Sequence, residues 1–182
     1  MKQLSQEDYR NIKKLCHIAK NLANEAIYNV KQHYFKEKQY LNFYDNCALL
    51  KGSVNYRKLN SNMVQHIIKE VDYMFRSFFA LLKLKKSCEY SQSIRLPQYL
   101  SKDGFTTLII EMFNIDGDKF TLPYSKSYGR VYKKITVRVP AILEDKKVKV
   151  IKIIPKAKAR YFEIQYVYEA VKNKGNKITT TH

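Results

Sequence analysis

Along residues 13–32, cationic, amide and phenolic side chains recur at three- and four-residue steps: Lys13, His17, Lys20, Asn21, Asn24, Tyr28, Lys31 and Gln32. At about 100° per residue they fall on one side of a helix, and that side carries almost no acid. Such a face has no nucleophile or paired carboxylate with which to break a bond. It has the groups that pair with phosphates and hydrogen-bond to base edges. Asn is a poor choice for a merely solvated helix, where Lys, Glu or Gln is the usual filling. Asn21 and Asn24 are therefore candidates for specific contacts.

A second set follows in a later helix. Ser61 opens it, Gln65, Lys69, Asp72, Arg76 and Lys83 lie on its polar side, and Lys85 and Lys86 join Lys83 at its end, with Arg95 beyond. The terminal lysines suit either a polyanion or the plain solubilising of a helix end. Catalytic chemistry is harder to assemble. A metal-dependent phosphodiesterase needs carboxylates converging on one or two cations. Here Asp103, Asp116 and Asp118 sit in turn-like contexts and Glu144 and Asp145 in a loop. No phosphate-cradling or nucleophile-elbow motif occurs, and five glycines leave little room for one. Cys16, Cys47 and Cys88 form no C-x-x-C pair and show no ligand spacing with the four histidines. The expectation is binding without catalysis, with no cofactor and no metal.

Composition agrees with a polyanion partner. The 182 residues carry 34 Lys and Arg against 16 Asp and Glu, a net charge of +18. A folded domain with that excess repels itself unless a polyanion neutralises it. Nucleic acid is the first expectation and an anionic membrane surface the second. No signal-type segment precedes the first helix and no run is long enough to cross a bilayer, so a cytoplasmic, nucleoid-associated location is expected.

Two long helices must position these residues. The first runs from Ser5 to Phe35, starting near Gln6, with Ser5 and Asp8 as a capping-box pair. Its core arc is Ile12, Leu15, Ala19, Leu22, Ala26 and Val30. After an aromatic connector with a short helix, Asp45 to Leu50, and a loop, Asn55 to Asn60, Ser61 caps the second helix, which reaches about Lys83. Val64, Ile67, Ile68, Val71, Met74, Phe75, Phe78, Phe79 and Leu82 are its buried face, and the two helices are expected to pack antiparallel. Strand signals follow at Ile94–Leu96, Phe105–Phe113, Phe120–Leu122, Lys134–Val139, Val148–Ile154 and Tyr161–Glu169. Ile115-Asp116-Gly117-Asp118 reads as a hairpin turn, and Pro155 to Arg160 as the link between the last two strands. The expected fold class is α+β. A helical hairpin, residues 1–86, precedes a small antiparallel, barrel-like β module, 87–171, and a disordered tail or linker, 172–182.

Several of these segments carry a resemblance. Lys20-Asn21-Leu22 with Asn24, Tyr28, Lys31 and Gln32 resembles the first-helix motif of TnpB, the OrfB-type protein of bacterial insertion sequences. The second helix, from Ser61 and Gln65 to Phe79, is similar to the family's next helix. Ile94-Arg95-Leu96-Pro97, the run from Phe113 to Pro123, Ile151 to Ile154 and Tyr161 to Glu169 resemble its wedge strands. TnpB proteins are RNA-guided DNA endonucleases of mobile elements. The resemblance implies guide RNA and target DNA as partners, with Ser61 and Gln65 placed where the family reads a short target-adjacent motif.

The departures shape the expectation equally. In the family a RuvC-like nuclease domain follows the wedge, opening on a strand that bears the first catalytic Asp in a D-x-G context. Here Lys172 to His182 ends the chain, and the usual first strand is shortened or missing at Met1 to Leu4. The expected origins are a trimmed piece, one part of a split protein whose RuvC-like nuclease is a separate chain, a decayed reading frame, or a nuclease-free binder. The rival function is a basic adaptor that docks on an acidic protein or anionic membrane through Met74 to Leu84.

Overall fold

The structure, a computed structural model, describes residues 4–169. The tail expected at 172–182 and the shortened strand expected at Met1 to Leu4 lie outside those residues, Leu4 excepted. Helix α1 spans Gln6–Glu37. Ser5 accepts from the Asp8 N–H while the Asp8 carboxylate accepts from the Ser5 N–H, so two orphan donors of the first turn are satisfied together. Lys38 closes the helix in the left-handed region, at φ 57°.

The connector to the second long helix is more ordered than its composition suggests. Helix α2 covers Phe43–Leu50, capped by Asn42, whose side chain accepts from the Tyr44 and Asp45 N–H groups. The expected loop at Asn55 to Asn60 is largely a one-turn helix, α3, Val54–Lys58, capped by Ser53. Helix α4 covers Ser61–Lys86. Its cap is Asn60, one residue before the expected Ser61, because the Asn60 carboxamide oxygen takes the Asn62 N–H.

These connecting helices change the topology. Glu25, on α1, binds Ser53 and Asn55, and Asn29 binds Asn46, so α2 and α3 run back along α1. Helix α4 then runs beside α1 in the same direction: Ala23 and Ile27 face Ile67 and Val71 across one groove, and the Tyr34 ring meets the Phe79 ring near both C-terminal ends. The antiparallel hairpin expected from sequence is thus corrected to a parallel pair with a helical return. The core arc of α1 is as expected, with Ile12, Leu15, Ala19, Leu22, Ala26 and Val30 buried against Val64, Ile67, Ile68, Val71 and Phe75 of α4. Met74 departs from its expected place and is exposed.

The remaining described residues form two small antiparallel sheets. Strands β1 (Leu108–Ile110), β5 (Val148–Lys156) and β6 (Tyr161–Tyr168) make one, in the order β1-β5-β6. Leu108 pairs with Ile153 and Ile110 with Ile151, and these four side chains are buried. Strands β2 (Ile115–Asp116), β3 (Lys119–Thr121) and β4 (Thr136–Arg138) make the other. Gly117, at φ 57°, supplies the turn between β2 and β3 that Asp-Gly announced. A short helix, α5, Lys126–Gly129, links β3 to β4, and a 3-10 turn, Ala141–Leu143, links β4 to β5.

The class is α+β, as expected, but the β module is not a closed barrel. Only Leu108–Ile110 of the long apolar run Phe105–Phe113 is a strand, and it joins β5 rather than the strand beyond the Asp-Gly turn. Ile94–Leu96 forms no strand.

Candidate nucleic-acid interface

The polar stripe of α1 has an occupant within the molecule. Residues 99–105 form a strap that descends α1 from its C-terminal half toward its N-terminus. The Lys31 ammonium lies 4.2 Å from the centroid of the Tyr99 ring. The Asn24 carboxamide donates to Leu100 O at 2.9 Å and accepts from Leu100 N at 2.8 Å. Lys20 Nζ donates to Lys102 O at 2.7 Å, His17 Nδ1 lies 3.3 Å from Gly104 O, and Lys13 stands over Phe105. The steps 31, 24, 20, 17 and 13 are one helical ladder gripping one extended segment.

The expected solvent-facing stripe is therefore corrected: Lys20 and Lys31 are only 3% and 7% exposed. Burial pushes the Lys31 ammonium below its ordinary range. Asn21 and Tyr28 lie on the stripe's other flank, beside a cavity shared with Glu25, Ser53 and Asn55, and Tyr28 remains exposed. Gln32 is half-buried.

The polar face of α4 stays open. Gln65, Lys69 and Arg76 line a cavity of about 380 Å³ with Tyr44 and Phe43 from α2, Tyr73, His66, Asn62 and, from the β module, Glu111. Tyr44 is 80% exposed and Tyr73 51%. The helix sets Gln65, Lys69 and Tyr73 four residues apart on one line, and α2 adds Tyr44 to the wall. Asp72 anchors the site from beneath. Expected on the polar face, it is instead buried to 5% exposure because it accepts from the Tyr40 hydroxyl and from Arg76 Nε at 2.7 Å. The Asp72 charge holds the Arg76 guanidinium firmly protonated, and burial together with the Asp72 hydrogen bond pushes the Tyr40 phenol up. His66 Nε2 lies 3.0 Å from a Glu111 oxygen, and Asn62 accepts from the Glu111 N–H, joining α4 to the β module beside this cavity.

The other expected residues lie outside this site. Ser61, one turn before Gln65, is exposed, as are Lys83, Lys85, Lys86 and Arg95. Lys85 Nζ reaches Gln92 O at 3.4 Å, closing the chain over the helix end. The sequence reading missed a further cationic surface. Residues 119–143 hold six Lys and Arg and no acid, and Lys126, Arg130, Lys133 and Lys134 are exposed around the packed rings of Tyr124, Tyr128 and Tyr132. That acid-free run was the available signal. Lys14 reaches the same cluster, standing over the Tyr132 ring and donating to its hydroxyl.

Among the described residues, no three His, Cys, Asp or Glu side chains gather where a metal ion could be held, and no helix is long and apolar enough to cross a membrane. The rings the adaptor reading would use are engaged within the fold: Phe75 is buried, and Phe79 packs against Tyr34 and Tyr40. No protein-family model matches the chain, and no curated protein sequence matches it.

Proposed function

We propose that this chain is a nucleic-acid-binding module, the recognition and wedge portion of a TnpB-like RNA-guided protein, which binds guide RNA and target DNA and does not cut on its own. The observation that carries the reading is the open α4 cavity, where Gln65, Lys69 and Arg76 meet two largely exposed tyrosines. Cations there attract phosphate, aromatic faces accept stacked bases, and a primary amide hydrogen-bonds to base edges. The net charge of +18 supplies the long-range attraction. In this reading Lys83, Lys85, Lys86 and Arg95 hold backbone, while Gln65, with Ser61 one turn away, reads bases.

The division of roles predicts unlike mutants. Gln65→Ala lowers discrimination between target-adjacent sequences about tenfold, within the usual ~1–3 kcal/mol of one base contact, and leaves total binding nearly intact. Replacing Lys83, Lys85 and Lys86 with Ala weakens binding to every sequence and reduces the salt slope by about 2 to 3. A competition assay against a randomised adjacent motif measures both. Equal loss of specificity from the two variants contradicts the assignment.

A further inference from the structure

The strap over α1 raises a physical problem that its ladder of contacts does not solve. Lysine is rarely taken out of water unless it is paired. Lys20 and Lys31 are nearly buried as residues, their stems covered by the strap while the Lys31 ammonium still reaches solvent, and among the described residues neither has a carboxylate within 4 Å. Lys20 has one carbonyl oxygen, and Lys31 has the face of one tyrosine. A carbonyl dipole and a ring quadrupole are weaker counterparts of what a phosphodiester strand offers, full negative charge and stacked bases.

The strap is also lightly held. Over residues 99–105, its backbone hydrogen bonds within the fold are the turn from Gly104 N to Ser101 O and the bonds to side chains of α1. Tyr99, Leu100, Ser101, Lys102 and Asp103 are exposed on the outer side. A segment with so few bonds and so much exposure opens at low cost. The lane beneath it is one extended chain wide. From Lys20 to Lys31 it runs eleven residues, about 16 Å at 1.5 Å per residue.

We propose that the face of α1 beneath the strap is a second phosphodiester-backbone site, occupied by the strap in the free protein and taken over by a single-stranded nucleic acid that displaces it. The inference rests on the nucleic-acid-binding reading above and adds a competitor built into the chain. Lys20 and Lys31 exchange their carbonyl and aromatic partners for phosphates. Binding through this lane is then weaker than the cation count implies, because each strand must first lift the strap.

The test locks the strap. Asn24 touches both backbone polar atoms of Leu100, so Asn24→Cys with Leu100→Cys joins them by a disulfide in the full chain carrying Cys47→Ser and Cys88→Ser. The probes are a fluorescent 20-nucleotide single-stranded RNA of mixed sequence, the DNA of the same sequence, and the corresponding duplex. The oxidised protein is expected to bind single strands at least tenfold more weakly than the reduced protein, with a salt slope shallower by about 1.4, two phosphates at ~0.7 each. Duplex binding does not change. A loss confined to RNA, confined to DNA or shared by both supports the site and identifies its ligand.

A second variant separates binding from holding the strap. In the otherwise unaltered chain, Lys20→Met with Lys31→Met reproduces the shallower slope while the melting temperature holds or rises, since neither lysine has a carboxylate partner to lose and the apolar stem is kept. Equal affinity and slope in the oxidised and reduced proteins overturns the proposal. So does a Met variant that melts lower with its slope unchanged. Failure of every probe to bind in both redox states removes the nucleic-acid reading itself.

Discussion

Asp72 shows how a single buried carboxylate organises the open side of α4. It receives the Tyr40 hydroxyl from the connector and the Arg76 guanidinium from one turn further along its own helix. Removing it leaves the half-buried phenol with only its longer bond to the residue-72 carbonyl, at 3.2 Å, and costs roughly 1 kcal/mol. Asp72→Ala is expected to lower thermal stability accordingly and to free the Arg76 side chain, and thermal melts of Asp72→Ala and Tyr40→Phe in a double-mutant cycle measure the coupling. The thiols offer a second test. Burial pushes the Cys16 thiol up to about 12, whereas Cys88 is exposed. At pH 8 the thiolate fraction of Cys16 is vanishing, so iodoacetamide labels Cys88 first and leaves Cys16 unmodified until the protein unfolds.

At the scale of elements, the two faces of α1 were legible in unequal degree. Apolar residues at helical spacing identify a core arc without naming the partner, and any apolar partner serves. A polar stripe is different. The low helix propensity of Asn marked Asn24 as a contact residue, and it is one, but its partner is the backbone of Leu100, 76 positions away. Local spacing carries no information about what arrives from that distance. The same limit explains β1: the pattern from Phe105 to Phe113 announced a strand, while its pairing with β5 follows from tertiary packing of Leu108 and Ile110. The parallel arrangement of α1 and α4 was hidden because the Asn42 and Ser53 caps turn a connector that reads as one short helix and a loop into a continuous helical return. Two predictions belong here. Asn24→Ala removes both bonds to Leu100 and is expected to cost about 1–2 kcal/mol locally, seen as faster amide exchange at Leu100 with α1 itself unchanged. Ser5→Ala breaks the capping box and costs about 1 kcal/mol, read in thermal denaturation.

The whole molecule is a parallel helix pair with two small sheets, bearing a charge excess distributed over several surfaces. The α4 cavity combines cations with exposed rings, the end of α4 supplies three clustered lysines, and residues 119–143 add an acid-free cationic stretch. Ion pairs neutralise part of the charge: Asp118 binds Arg138, Glu163 binds Lys156, and Glu169 binds Lys149. Among the described residues most lysines have no such partner, and in the proposed function a polyanion relieves their mutual repulsion. Purifying the chain without nuclease treatment, sequencing the RNA that accompanies it and releasing that RNA with rising salt tests this account most directly. The account predicts one structured RNA with a variable end, enriched well above its cellular abundance and released steeply as salt rises. Recovery of no RNA, or of bulk cellular RNA in proportion to its abundance, contradicts it.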